Sequence, residues 1–85
     1  MSEAGIREWC TGYLAQILDI PPERIGPDVK FARLGLDSAN SVQLALALED
    51  MLKIELDPEI VFEHPTVASL ARRLAIDCGG EIKDR

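Results

Sequence analysis

The sequence predicts an all-α fold: a small four-helix bundle of three long helices and one short one, with a long ordered loop between the first two helices. Three features carry that reading. Apolar residues recur at helical spacing in three separate stretches, no stretch alternates with period two, and a proline-rich connection divides the first helical stretch from the second.

In the first stretch Ile6, Trp9, Cys10, Tyr13, Leu14, Ile17 and Leu18 follow the i, i+3, i+4, i+7 pattern and share one helical face. A helix is expected over about 3–18. Cys10 lies on that face, where a free thiol acts as a small hydrophobe. Trp9 and Tyr13, one turn apart, read as core and rim residues rather than a ligand box. The second helix, about 38–52, takes Val42, Ala45, Leu48 and Leu52 as its core stripe, with Leu44 and Met51 beside it and no Gly or Pro as far as Lys53. Asp57 then caps a short helix over about 58–63, with Pro58 in the first position and Ile60, Val61 and Phe62 buried. The last helix, about 66–77, starts at Pro65 and Thr66 and buries Val67, Leu70, Ala71 and Leu74. Arg72 and Arg73 lie near its negative end, and it stops before Gly79 and Gly80. The tail GGEIKDR reads as a flexible terminus, with Cys78 an incidental thiol beside it.

Residues 19–37, DIPPERIGPDVKFARLGLD, are kept from forming a helix by Pro21, Pro22 and Pro27. Loops of this length in small domains are usually functional or disordered. Ile20, Ile25, Val29, Phe31, Leu34 and Leu36 give this one its own apolar anchors, so order is expected, and the loop ends at Ser38.

Composition narrows the function. With 85 residues, 47% of them apolar and 5% aromatic, the chain has material for one core, hence a single domain over 1–85. A formal charge of −6 repels phosphate backbones, which argues against nucleic acid and favours enzymes with basic docking surfaces. The longest clean apolar run is Leu44 to Leu48, too short to cross a membrane, and the start MSEAGIREW is acidic and amphipathic, unlike a signal peptide. A cytoplasmic, reducing location without membrane insertion is expected. Cys10 and Cys78 make neither a metal cluster nor a disulfide framework, so no metal is expected.

FARLGLDSANSVQL, residues 31–44, followed by VFEHPTVASLARRL, residues 61–74, resembles an acyl carrier protein of the phosphopantetheine-binding carrier family, as used in polyketide and fatty acid synthesis. The resemblance covers nearly the whole chain and rests on Gly-Leu-Asp-Ser at 35–38, IGPDVKF at 25–31 and Phe-Glu-His-Pro-Thr at 62–66. It implies that Ser38 receives 4′-phosphopantetheine from coenzyme A through a phosphopantetheinyl transferase, and that the thiol of the arm carries an acyl group as a thioester. It connects Asp37 with recognition by the transferase and its Mg²⁺. The partners it implies are that transferase, an acyl-loading enzyme (acyltransferase or acyl-activating ligase), and a ketosynthase or other acyl-processing enzymes, with the carrier a monomer. Met1 and the short tail suggest a freestanding carrier. Leu36, where peptidyl carriers commonly have a second Gly, and FEHPTV downstream bring it closer to polyketide carriers than to peptidyl or aminoacyl ones.

The chemistry of the junction agrees. A serine at a helix start presents its hydroxyl where free N–H groups and the positive helix end favour an anion such as a phosphodiester. Gly35 allows a tight turn or a close approach, and Leu36 pins the turn to the core. No catalytic residue is needed, because the cofactor supplies the reactive group. Locally, Asp37 and Ser38 also read as an N-cap pair, and the two roles are compatible if Asp37 caps while Ser38 faces solvent. A serine hydrolase would need a base, and the one histidine, His64, lies before Pro65, where capping or core contact suits it better. An unmodified helical interaction module would not need the Asp37–Ser38 pair. The chain departs from its family after the serine, where carriers usually have a bulky apolar residue and, in the fatty-acid branch, acidic ones. Here Ala39, Asn40 and Gln43 leave that face neutral, and with Leu46, Glu49 and Asp50 they form the expected partner surface, charged only at its far end. The competing role for Leu46 is to complete the core.

Overall fold

The structure, a computed structural model, describes residues 2–83, with side chains described for 2–77. It contains five α-helices and one 3₁₀ turn among the described residues. Ser2 starts the first: its hydroxyl accepts the Gly5 N–H at 3.1 Å, and α1 runs over Glu3–Leu18 as the periodicity predicts. Asp19, in the left-handed conformation at φ 56°, ends it. Ile6, Cys10 and Leu14 are fully buried, while Trp9 and Tyr13 stack at 5.0 Å and 9° and are partly buried against the core.

The main partner of α1 is α5, Val67–Lys83, whose Val67, Leu70, Ala71 and Leu74 are all buried. Contrary to expectation, α5 continues through Gly79 and Gly80 to Lys83. Glycine in a helix costs about 1 kcal/mol relative to alanine but does not break it, and no proline follows to force a stop. Residues 79–83 of the tail are therefore helical; residues 84–85 and the side chain of Cys78 lie outside the described residues. Arg72 and Arg73 consequently sit mid-helix rather than at its end, and Arg73 pairs with Asp77 at 3.4 Å on the surface.

The third long helix, α3, occupies Ser38–Leu52, with the expected bounds but a rotated face. Ser41, Leu44, Ala45 and Leu48 are buried, whereas Val42, assigned to the core from sequence, is 40% exposed. The inward stripe runs 41, 44, 45, 48, and Val42 lies about 100° round from Ser41. A serine is tolerated inside because its hydroxyl donates to the Asp37 carbonyl at 2.9 Å. Leu46, at 57% exposure, takes no part in the core.

The short helix α4, Ile60–Glu63, begins two residues later than predicted. Asp57 caps the preceding turn, accepting the Glu59 N–H at 3.0 Å, and Pro58 belongs to that turn rather than to the helix. Ile60 and Val61 are buried, but Phe62 is 58% exposed, correcting the sequence reading. Three successive helical residues point about 100° apart and cannot all face one core. The linker before α4 is held by Glu49, whose carboxylate accepts the Leu56 N–H at 2.6 Å.

Residues 19–37 are ordered but not free of helix. Pro22 opens a 3₁₀ turn, Pro22–Arg24, and beyond the last proline of the loop α2 forms over Phe31–Leu34. Ile25 and Phe31 are buried; Ile20, Leu34 and Leu36 rest against the core. The loop is tied to the start of α5 by two reciprocal hydrogen bonds, Phe31 N–H to the Pro65 carbonyl at 2.8 Å and Ala68 N–H to the Pro27 carbonyl at 2.9 Å, with a single antiparallel bridge between Lys30 and Thr66.

Burial pushes the Cys10 thiol up from 9.0 to about 12. Its contribution to stability is fully present below the pKa of the unfolded thiol and is lost as pH rises from there toward the folded value. In a Cys78→Ser background, stability measured in urea should fall between pH 9 and 12 more steeply for wild type than for Cys10→Ala; parallel profiles would contradict the buried thiol.

Candidate functional site

Two helices, α2 and α3, meet at the Gly-Leu-Asp-Ser turn. Gly35 ends α2 at φ 90°, a conformation that strains any L side chain; nothing lies within 4 Å of where its Cβ would be, so glycine is required for backbone geometry and not for space. Its N–H reaches the Ala32 carbonyl at 3.2 Å, and the Leu36 N–H reaches that of Phe31 at 3.1 Å, the paired bonds of a Schellman ending. Leu36 is half-buried against the core, as expected, and fixes the height of the turn.

Asp37 is the N-cap of α3. Its Oδ1 accepts the Asn40 N–H at 2.8 Å, and its carbonyl accepts both the Ser41 N–H and the Ser41 hydroxyl, each at 2.9 Å. Ser38 is the first helical residue and is exposed, so capping and hydroxyl presentation fall to different residues. The N–H groups of Ser38 and Ala39, without partners among the described residues, stand at the positive end of a 15-residue helix. A hydroxyl, two unpaired donors and a helix dipole fit a phosphodiester. Ser41 was not read from sequence as a supporting residue; its signal was a polar side chain within the inward stripe, four positions after Asp37.

Downstream, His64 Nδ1 lies 2.8 Å from the Ser69 hydroxyl, and Thr66 Oγ1 accepts the Ser69 N–H at 3.1 Å, which caps α5. His64 thus serves the α4–α5 corner, a structural part like the one expected. Of the partner-surface residues, Ala39, Gln43, Leu46 and Asp50 are exposed along one side of α3, and Val42 joins them. Asn40 and Glu49 are half-buried, Asn40 tied through its N–H to Asp37 and Glu49 to Leu56.

Comparison with known proteins gives a consistent family. The family described as phosphopantetheine attachment site matches residues 8–74. One polypeptide of the phenolphthiocerol/phthiocerol polyketide synthase of Mycobacterium tuberculosis is 36% identical over 73 residues, which cover 86% of this chain and 4% of that protein. Polyketide synthase PksN of Bacillus subtilis is 37% identical over 70 residues, 82% of this chain and 1% of its own length. The chain therefore spans a small fraction of these curated relatives. Among solved structures, a free-standing peptidyl carrier protein from Acinetobacter baumannii superposes with TM-score 0.85 at 33% identity, covering 89% of this chain and 95% of that one. Asl1650, an acyl carrier protein from Anabaena sp. PCC 7120, gives 0.81 at 36% identity, covering 88% and 85%. The chain belongs to the phosphopantetheine attachment family, carrier proteins that hold a prosthetic group and perform no catalysis themselves.

Proposed function

We propose that this carrier holds acyl intermediates as thioesters on a 4′-phosphopantetheine arm attached at Ser38, as a freestanding protein of polyketide or fatty-acyl biosynthesis. The observation that carries the assignment is the division of labour at 37–38: Asp37 completes the cap, and the exposed Ser38 hydroxyl is left for modification. When bound, the arm supplies the thiol that holds the acyl group; the chain supplies its position. The polyketide side is supported by the curated relatives and by Leu36, the freestanding state by the free-standing carrier from Acinetobacter baumannii. That same likeness favours a second reading as a peptidyl or aminoacyl carrier, decided by mass spectrometry of the thioester formed in the native host. The partners are a phosphopantetheinyl transferase, an acyl-loading enzyme and a ketosynthase or other acyl-processing enzyme.

Ser38→Ala should fold with unchanged stability, because Asp37 is the cap, and should gain no phosphopantetheine mass when co-expressed with a broad-specificity transferase. A variant that still gains the mass would move the attachment point.

Asp37 has two roles that separate by substitution. Asp37→Ala should cost about 1 kcal/mol of stability through the lost cap, whereas Asp37→Asn keeps a capping oxygen and should cost little. If the carboxylate also meets the Mg²⁺ of the transferase, both variants load slowly; Asp37→Asn loading at the wild-type rate would leave Asp37 with the cap alone.

The partner face is the exposed side of α3, with Ala39, Gln43 and Leu46 near the arm and Asp50 at the far end. Asn40 stands beside it, while Glu49 holds the α3–α4 linker, so the charge of this face itself rests mainly on Asp50. Leu46→Glu should leave folding and transferase loading intact while slowing transfer from the acyl-loading enzyme, and Asp50→Lys should make that transfer less salt-dependent. Acylation of Leu46→Glu at the wild-type rate would place the partner elsewhere.

A further inference from the structure

We propose that a groove along the loop that leads to the turn, lined by Ile20, Arg24, Val29, Arg33 and Leu34, docks an acidic, apolar-anchored segment of a partner protein. The groove encloses about 270 Å³. Its apolar side is Ile20, Val29 and Leu34, each half-buried, with Ile20 and Leu34 resting on the core. Arg24 and Arg33 line the same groove, both exposed, and neither is ion-paired among the described residues.

Among the described residues Lys30, Lys53 and Arg72 are likewise without an ion pair; what sets Arg24 and Arg33 apart is that both line one groove beside three apolar side chains. A guanidinium offers a planar fork to an incoming carboxylate, and two of them beside apolar side chains complement a segment that presents acidic and apolar side chains together. A lone small anion would use the guanidinium groups and leave Ile20, Val29 and Leu34 uncovered. A formal charge of −6 opposes an extended polyanion, nucleic acid or an anionic membrane surface, whose charges reach well beyond the two arginines, whereas a short segment can place its few carboxylates at Arg24 and Arg33 alone.

The position of the groove suits a partner that works on the carrier. Leu34 precedes Ser38 by four residues, so even a fully extended chain would put them no more than about 14 Å apart. One protein can therefore hold the groove and reach the modified side chain. That link to Ser38 rests on the carrier reading; the groove itself does not.

The test uses the full chain carrying Ser38→Ala, so that it stands apart from the attachment assignment. Amide chemical shifts are followed by NMR during titration with a peptide of Glu, Asp, Leu and Phe, a matched peptide with Lys in place of the acids, and inorganic phosphate. The acidic peptide should shift residues 20, 24, 29, 33 and 34, and added salt should weaken it. Arg24→Glu with Arg33→Glu should reduce its affinity by about tenfold or more, and Arg24→Gln with Arg33→Gln should reduce it without charge reversal, both with wild-type circular dichroism. The proposal is overturned by no shift in the groove, by equal binding of the Lys peptide, or by affinity indifferent to both double variants. The same shifts with phosphate alone would make the groove a small-anion site. The same shifts on raising the carrier concentration would assign it to a second copy, and on loading wild type with a carboxylated acyl chain to the cargo; each of these also overturns it.

Discussion

Two helix starts in this fold satisfy each other through proline carbonyls. Phe31 opens α2 and Ala68 lies in the first turn of α5, and backbone N–H groups at such positions have no acceptor within their own helix. Pro65 accepts the first and Pro27 the second. Each proline precedes the helix opposite its donor, its φ fixed and its carbonyl free to accept. The pair closes the 19–37 loop onto the α4–α5 corner, and Phe31, buried at that joint, keys the loop to the core. Leaving either N–H unpaired would cost about 1–3 kcal/mol, comparable with the net contribution of a core side chain. Everything about the Ser38 turn follows from that joint, because α2 is one turn long and would not persist without an anchor at its start.

From the joint, position is passed along four residues. Phe31 fixes the start of α2, the left-handed Gly35 reverses the chain, Leu36 presses the reversal against the core, and Asp37 receives it as the cap of α3. Ser41 locks the handover from inside the helix by donating to the Asp37 carbonyl. Ser38 is thus presented on a rigid edge with its hydroxyl outward. With the arm at Ser38, as proposed, this combination suits a carrier, since a flexible arm delivers its load well only when its root is fixed.

Helix existence and bounds were legible wherever apolar spacing was unbroken: α1 and α3 run between the residues the periodicity indicates. Rotation about the helix axis was less legible. Val42 is more apolar than Ser41, so hydrophobicity placed it inward, but the stripe that meets the core runs through Leu44, Ala45 and Leu48, and Ser41 shares it with its hydroxyl satisfied by the Asp37 carbonyl one turn back. Phe62 failed for the converse reason, since a one-turn helix that buries Ile60 and Val61 has no third inward position. The run of α5 through Gly79 and Gly80 shows that glycine marks a helix end only where the backbone takes the left-handed turn; Asp19 and Lys53 take that turn without being glycine. At the 37–38 junction the cap by Asp37 and the exposure of Ser38 were legible because their signal is chemical and local. The proline-to-helix joint was invisible, since nothing in either segment names the other as its acceptor.

The same geometry divides the surface around Ser38 by charge. Between 49 and 63, Glu49, Asp50, Glu55, Asp57, Glu59 and Glu63 stand against Lys53 alone. The near side of α3 is neutral, with Ala39, Val42, Gln43 and Leu46 exposed, while the flank toward the loop carries Arg24 and Arg33. Exposed charges act over roughly a Debye length, about 8 Å at physiological salt, so the acidic segment orients an approaching partner without specifying contacts at the arm. Contacts on the α3 side must come from shape and apolar area, which respond less to salt than ion pairs do. A carrier that meets several enzymes in turn gains from that separation: long-range attraction is shared by all of them, and discrimination is left to the short-range surface around one fixed serine.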